Sequence, residues 1–152
     1  MPAWLVIGLL ALLLGLQPVT TDLYLPALPT LKAQLQASMA QSQLTLTALL
    51  LAFGCSQVVW GPLSDRWGRR PILLLGLVAY VLAALGCALA QSMEALIFWR
   101  TVQGAAMGTG VMGARAVVRD LYAPVQGAHA MSRALTGLGI IACLSPPLGG
   151  LL

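Results

Sequence analysis

The sequence predicts an all-α integral membrane protein, and three observations predict it. The chain is 59% hydrophobic and only 8% charged, whereas a soluble domain carries about 25% charged residues. Its mean hydropathy is +0.90, and a core of this size cannot hide so much apolar surface from water. The charges also avoid long stretches: residues 1–21, 33–64, 71–93 and 134–152 contain none. A helix that crosses a bilayer needs about 20 apolar residues. Lipid offers the backbone no hydrogen bonds, so such stretches are helices rather than strands.

Five spans are expected, at roughly 3–24, 43–63, 72–91, 95–118 and 132–152, forming one incomplete transmembrane domain. The first reads as a retained helix and not a cleaved signal. Nothing basic precedes Lys32, and the apolar run exceeds the roughly 7–15 residues of a signal core. A long loop, 25–42, follows it. The second span is expected to end at Gly61 and Pro62, because proline disfavours continuing a helix. The third follows Pro71. The fourth is apolar apart from Arg100 and Arg115. A loop holding His129, read as a solvated histidine, leads to the fifth. That span runs to Leu152 through SPPLGGLL with no polar flank, so the chain is expected to be part of a longer protein.

Several function classes fall away. Cys55, Cys87 and Cys143 each sit inside a span and lack metal-ligand spacing, so they read as small packing residues. No nucleophile, base and orienting group come together, so no catalytic residue and no enzyme activity are expected. The basic residues form no patch for nucleic acid. Their placement has a membrane reason. With the N-terminus taken as cytoplasmic, Arg66, Arg69, Arg70, Arg115, Arg119 and Arg133 fall on the inner side and only Lys32 on the outer. The positive-inside rule favours that orientation.

Of the eight basic and four acidic residues, four lie in one short run, GPLSDRWGRRP, Gly61 to Pro71. Ser64 and Asp65 suit free backbone N–H groups at a turn or helix N-terminus. Gly68 permits a positive φ in the tight return. Arg66, Arg69 and Arg70 hold the turn at an anionic surface, and Pro71 suits the first position of the next helix. In the fourth span, Gly104 and Gly108 form a G-x-x-x-G that reads as a close-packing face. Trp4, Trp60, Trp67 and Trp99 lie near span ends, as an interfacial belt would place them.

The run GPLSDRWGRRP resembles the signature loop between helices two and three of the major facilitator superfamily of secondary transporters. RTVQGAAMG, with Arg100, Gln103 and Gly104, resembles that superfamily's helix-four motif. TTDLYLPALP, Thr20 to Pro29, is similar to the end of helix one in the bicyclomycin-resistance type of drug:proton antiporter. SPPLGG, with Pro146, Gly149 and Gly150, resembles the antiporter motif of helix five, although Ser145 stands where a glycine is expected. The resemblance implies helices one to five of the N-terminal six-helix half of a twelve-helix transporter. It also implies that the Asp65 loop is a gating element that meets the other half.

One internal feature points the same way. Asp22-Leu23-Tyr24-Leu25-Pro26 recurs as Asp120-Leu121-Tyr122-Ala123-Pro124, once closing span one and once closing span four. Inverted three-plus-three repeats relate helix one to helix four in such transporters.

Intramembrane charge marks the expected site. An arginine at the bilayer centre costs on the order of 2.5–3.5 kcal/mol, so it usually faces the bundle interior and is paired. Arg100 is expected to face a central cavity and to help couple proton and substrate movement, as its motif implies; the alternative is snorkelling to the headgroups. Asp22 is the candidate for protonation or for a cationic substrate, against the plainer reading of a wetted helix end. Gln57 and Gln103 are candidate cavity-lining groups. The function that the resemblance implies is proton-coupled efflux of small drug-like molecules across a bacterial inner membrane. The proton gradient drives it, with no cofactor and no metal. Its partners are membrane lipid, the substrate and the missing C-terminal half. The competing readings are a transport-inactive fragment and a sugar or metabolite carrier of the same superfamily.

Overall fold

The computed structural model describes residues 3–35 and 37–151, with side chains at all of these except 3, 27, 31, 32, 34 and 146–151. Six helices follow in order: α1 (Ala3–Asp22), α2 (Tyr24–Gln34), α3 (Met39–Trp67), α4 (Arg69–Ala88), α5 (Met93–Leu121) and α6 (Pro124–Leu151). No strand occurs among the described residues. Four helical stretches are long and apolar enough to cross a membrane: Trp4–Pro26, Met39–Trp67, Arg69–Ala88 and Pro124–Ser145. Large side chains such as Leu12, Leu51, Val58 and Leu82 stand exposed along them. In water that surface would drive aggregation; in a bilayer it is the lipid-facing surface. The protein is a multi-pass membrane protein.

Helix α5 is not among those four, although a span was expected over 95–118. It carries Arg100, Gln103 and Thr109, and it buries all three. A helix covered by protein need not be as apolar as one bathed in lipid.

The chain forms two compact units. One joins the residues up to Ala27 with those from Gly113 onward, and the other is Leu28–Met112. In the first, α1 packs on α6. A methyl group on Gly137 would stand 3.1 Å from the Ala11 methyl, and one on Gly15 would stand 3.0 Å from Cδ1 of Ile141. The two pairings advance together along both helices, so α1 and α6 run parallel. Small residues at the crossing let the backbones approach.

The second unit is built on a stripe of small polar residues. Ser42, Thr45, Leu49 and Ser56 are the buried positions of α3, about two turns of helix recurring between them or less. Their hydroxyls donate inward to their own helix: Ser42 to the Ser38 carbonyl at 3.1 Å, Thr45 to Ser42 at 2.7 Å and Ser56 to Phe53 at 2.9 Å. The polar groups are thereby satisfied locally, and a shallow groove is left for α5. Gly104 lies against the Leu49 backbone and Gly108 against the Ser56 hydroxyl, so α3 and α5 run parallel. Gly76 meets Thr109 and Gly86 meets the Trp99 ring, so α4 runs antiparallel to α5. Ser38 and Gln41 close a reciprocal capping box at the start of α3, with N–H···O distances of 3.1 and 3.0 Å.

Three boundaries differ from expectation. The loop expected over 25–42 is largely helix α2. Pro26 falls in its first turn, where N–H groups have no partner to lose. Helix α3 passes through Pro62 and ends at Trp67. Proline there forfeits only the bond to the Val58 carbonyl, near the helix end, where nearby polar groups can replace it. Helix α6 begins at Pro124, so His129 lies exposed on a helix and not in a loop. Proline at a first helical position needs no N–H and brings its φ already set.

Candidate functional site

The buried polar cluster of the second unit sits where α4 and α5 face each other. Arg100 is only 9% exposed and Gln103 only 5%. They lie three apart on α5, on one face of the helix. Arg100 Nη1 donates to Gln103 Oε1 at 3.3 Å. The Cys87 thiol of α4 donates to the same oxygen at 3.7 Å. One amide oxygen therefore receives a guanidinium from its own helix and a thiol from the next. Arg100 is held by this cluster, enclosed by protein. Cys87 was expected only to pack; its thiol role arises from a neighbour 16 residues away, which spacing cannot show.

Gly104 follows directly. A side chain there would strike the Leu49 carbonyl of α3. The Arg-x-x-Gln-Gly pattern thus has a division of labour: the first two residues turn toward α4, and the glycine admits α3. Gln57 lies half-buried on α3, one residue past the Ser56–Gly108 crossing. Five residues separate Gly108 from Gln103, roughly 8 Å along the helix, so Gln57 does not join the cluster. Trp60 makes a contact between helices that its place near a span end does not show. Its Nε1 donates to the Ala105 carbonyl at 2.8 Å, beside a groove of about 370 Å³ that Ala52, Val59 and Ala105 help to line.

Asp22 is the last residue of α1, half-buried, in the other unit. Thr21 Oγ1 lies 3.1 Å from its Oδ1 and 3.0 Å from the Gln17 carbonyl. A hydroxyl has one proton to donate, so it serves one of these acceptors at a time. Thr20 Oγ1 donates to the Leu16 carbonyl at 2.6 Å. The Asp-Leu-Tyr segments both fall at helix junctions: Leu23 is the turn between α1 and α2, and Tyr122 the bend between α5 and α6. Each closes with a backbone bond four residues back, Leu23 to Val19 and Tyr122 to Val118.

The turn between α3 and α4 is Gly68 alone, at φ 88 and ψ 157. A side chain there would be strained, which explains the glycine. Around it the motif residues bond one another. Arg69 Nη2 pairs with Asp65 Oδ1 at 3.2 Å, and Arg69 Nη1 donates to Ser64 Oγ at 3.4 Å. Ser64 Oγ in turn donates to the Gly61 carbonyl at 3.0 Å. Gly68, which precedes α4, has no side chain with which to cap it. Through Arg69, Ser64 and Asp65 staple the last turn of α3 to the first turn of α4. Pro71 is the third residue of α4 and not the first, still within the turn whose N–H groups lack helix partners. Arg66 and Arg70 are exposed on either side. Gly61 accepts close approach from α5, since a methyl there would lie 3.3 Å from Met112 Cε. Pro146, Gly149 and Gly150 lie outside the residues described at side-chain level.

The family model described as Major Facilitator Superfamily matches residues 5–152. The chain is 38% identical over 146 residues to "Multidrug resistance protein D" of Escherichia coli (strain K12), which covers 95% of this chain and 36% of that protein. It is 39% identical over 131 residues to "Chloramphenicol resistance protein" of Pseudomonas aeruginosa, covering 86% of this chain and 31% of that one. With "Bicyclomycin resistance protein homolog" of Haemophilus influenzae it shares 32% identity over 146 residues, 96% of this chain and 36% of the relative. The chain spans about a third of the length of these curated relatives.

Proposed function

The chain belongs to the Major Facilitator Superfamily, and on that premise we propose that it supplies helices one to five of the N-terminal half of a drug exporter. In this reading α1, α3, α4, α5 and α6 are the five crossings, and α2 extends the end of the first. The N-terminus is cytoplasmic in a bacterial inner membrane. Six arginines against one lysine support that orientation. The parallel course of α1 and α6, and that of α3 and α5, are what alternate crossings of one membrane require. The substrates are small and drug-like, as the names of the relatives suggest, and protons exchanged in the opposite direction drive their exit. Alternating access needs a second half, so the activity belongs to the complete protein.

The observation that carries this reading is the burial of Arg100. An enclosed guanidinium in an apolar helix is costly and is kept where charge has work to do. Arg100 couples the proton to the substrate, and Asp22 takes the proton or meets a cationic drug. The experiment is proton-driven drug efflux in cells carrying the complete protein with Arg100→Ala or Asp22→Asn, with and without an uncoupler. Unchanged, uncoupler-sensitive efflux in both variants would sink the proposal. The Asp65 turn acts as the gate, meeting the C-terminal half from the inner face.

A further inference from the structure

We propose that the elbow between α5 and α6 binds the phosphodiester headgroup of an anionic phospholipid. A pocket of about 470 Å³ lies there, and its lining includes Arg115, Val118, Arg119, Tyr122, Ala128 and Met131. Arg115 and Arg119 are exposed and stand four apart on α5, so both guanidinium groups reach one side of the helix. Each can place two N–H donors on phosphate oxygens. Asp120, the acidic residue of this segment, does not line the pocket. The first turns of α6 form the facing wall. Gly127 lets that wall close, because a methyl there would stand 3.0 Å from Val118 Cγ1.

The remaining lining is what singles out a lipid. Val118 is buried and Met131 half-buried, so an apolar floor lies below two cationic groups. Free phosphate gains nothing from such a floor, whereas a phospholipid carries an anion joined to acyl chains. The half-buried ring of Tyr122 suits headgroup level. The elbow also lies where charge returns to the sequence, between the apolar body of α5 and the apolar stretch of α6. Basic pockets between spanning helices are a recurrent way to hold anionic headgroups. The proposal rests on membrane embedding, and neither on transport nor on which face is cytoplasmic.

The test is native mass spectrometry of the protein, expressed from its complete reading frame and released from nanodiscs of mixed phosphatidylglycerol and phosphatidylcholine. Phosphatidylglycerol is expected to stay bound in preference to phosphatidylcholine. Relative retention should fall about fivefold for each of Arg115→Gln and Arg119→Gln. Arg115→Lys and Arg119→Lys should retain most of it. Ala128→Phe fills the pocket without touching the charges and should also release the lipid. Millimolar inorganic phosphate should not displace it. Equal retention of both lipids, no lipid retained, or wild-type retention in Ala128→Phe and the double Gln variant would overturn the proposal. Displacement by inorganic phosphate would overturn it in favour of a free-anion site. The lysine variants and helical circular dichroism separate lost binding from lost folding.

Discussion

The indole Nε1 of Trp60 donates to the backbone carbonyl of Ala105 at 2.8 Å, joining α3 to α5 one residue past Gly104, which lies against the Leu49 backbone. The acceptor thus adjoins one of the two close glycine contacts between these helices. The bond therefore reports on their spacing.

Trp60→Phe keeps most of the ring and removes the donor. The Ala105 carbonyl lies within α5, so it retains a helical partner and is not orphaned. The expected loss is about 1 kcal/mol or less. Trp60→Ala should cost more, because the packed ring goes as well. Unfolding of the purified protein by dodecyl sulfate titration in detergent micelles gives both values.

Gly104→Ala should destabilise the protein by about 1–3 kcal/mol, the usual cost of forcing extra atoms into a packed contact. The atom in the way is the Leu49 carbonyl, which is backbone and cannot rotate aside. Gly8→Ala is the control, since nothing stands within 4 Å of a methyl group there. It should be neutral or slightly stabilising, as alanine is the better helix former. Equal stability of the two variants would contradict the close contact.

Gln103→Leu removes the oxygen that accepts from both Arg100 and Cys87. About 1–3 kcal/mol of stability should be lost. Gln103→Glu keeps an acceptor beside the guanidinium and should lose less. Cys87→Ala removes only the weaker thiol bond. The ranking Leu worse than Glu, with Cys87→Ala mildest, can be read from thermal melting in one detergent. A double-mutant cycle over Gln103 and Cys87 isolates the contact between α4 and α5.

Asp65→Asn should change stability by under about 1 kcal/mol, because the ion pair to Arg69 is at the surface, with Asp65 58% exposed. Transport should nonetheless fall severely if Asp65 gates the complete protein. Unchanged melting with lost efflux is the expected pair of results. Gly68→Ala, by contrast, should lower stability itself, since the turn holds φ at 88.

Much of the site was legible in order and not in contact. Runs without charge told where helices lie, because hydropathy and span length are summed along the chain. Gly68 was legible as the turn, since positive φ is a local property. Arg100 was legible as a residue needing burial. Its acceptor Gln103 lay three residues on, a distance helical geometry covers. The shared thiol of Cys87 was not legible, nor was the bond from Trp60, which spans 45 residues. Pro62 misled because a lone proline usually ends a helix, and here the loss falls near the end of α3. The polar stripe of α3 was not legible as a packing face: Ser42, Thr45 and Ser56 are buried, and each bonds its own helix and frees a groove for α5.

By itself, the sequence determined the helical membrane class, the glycine turn at Gly68 and the kinship those motifs express. These follow from local chemistry: hydropathy, backbone freedom and short motifs read along the chain. Only the tertiary structure decided that Gln103 serves two donors, that Gly104 rests on the Leu49 backbone and that Asp65 holds Arg69. Those outcomes depend on which faces of separate helices meet. The meeting is set by packing small residues from distant parts of the chain, and no stretch of sequence contains both sides of it.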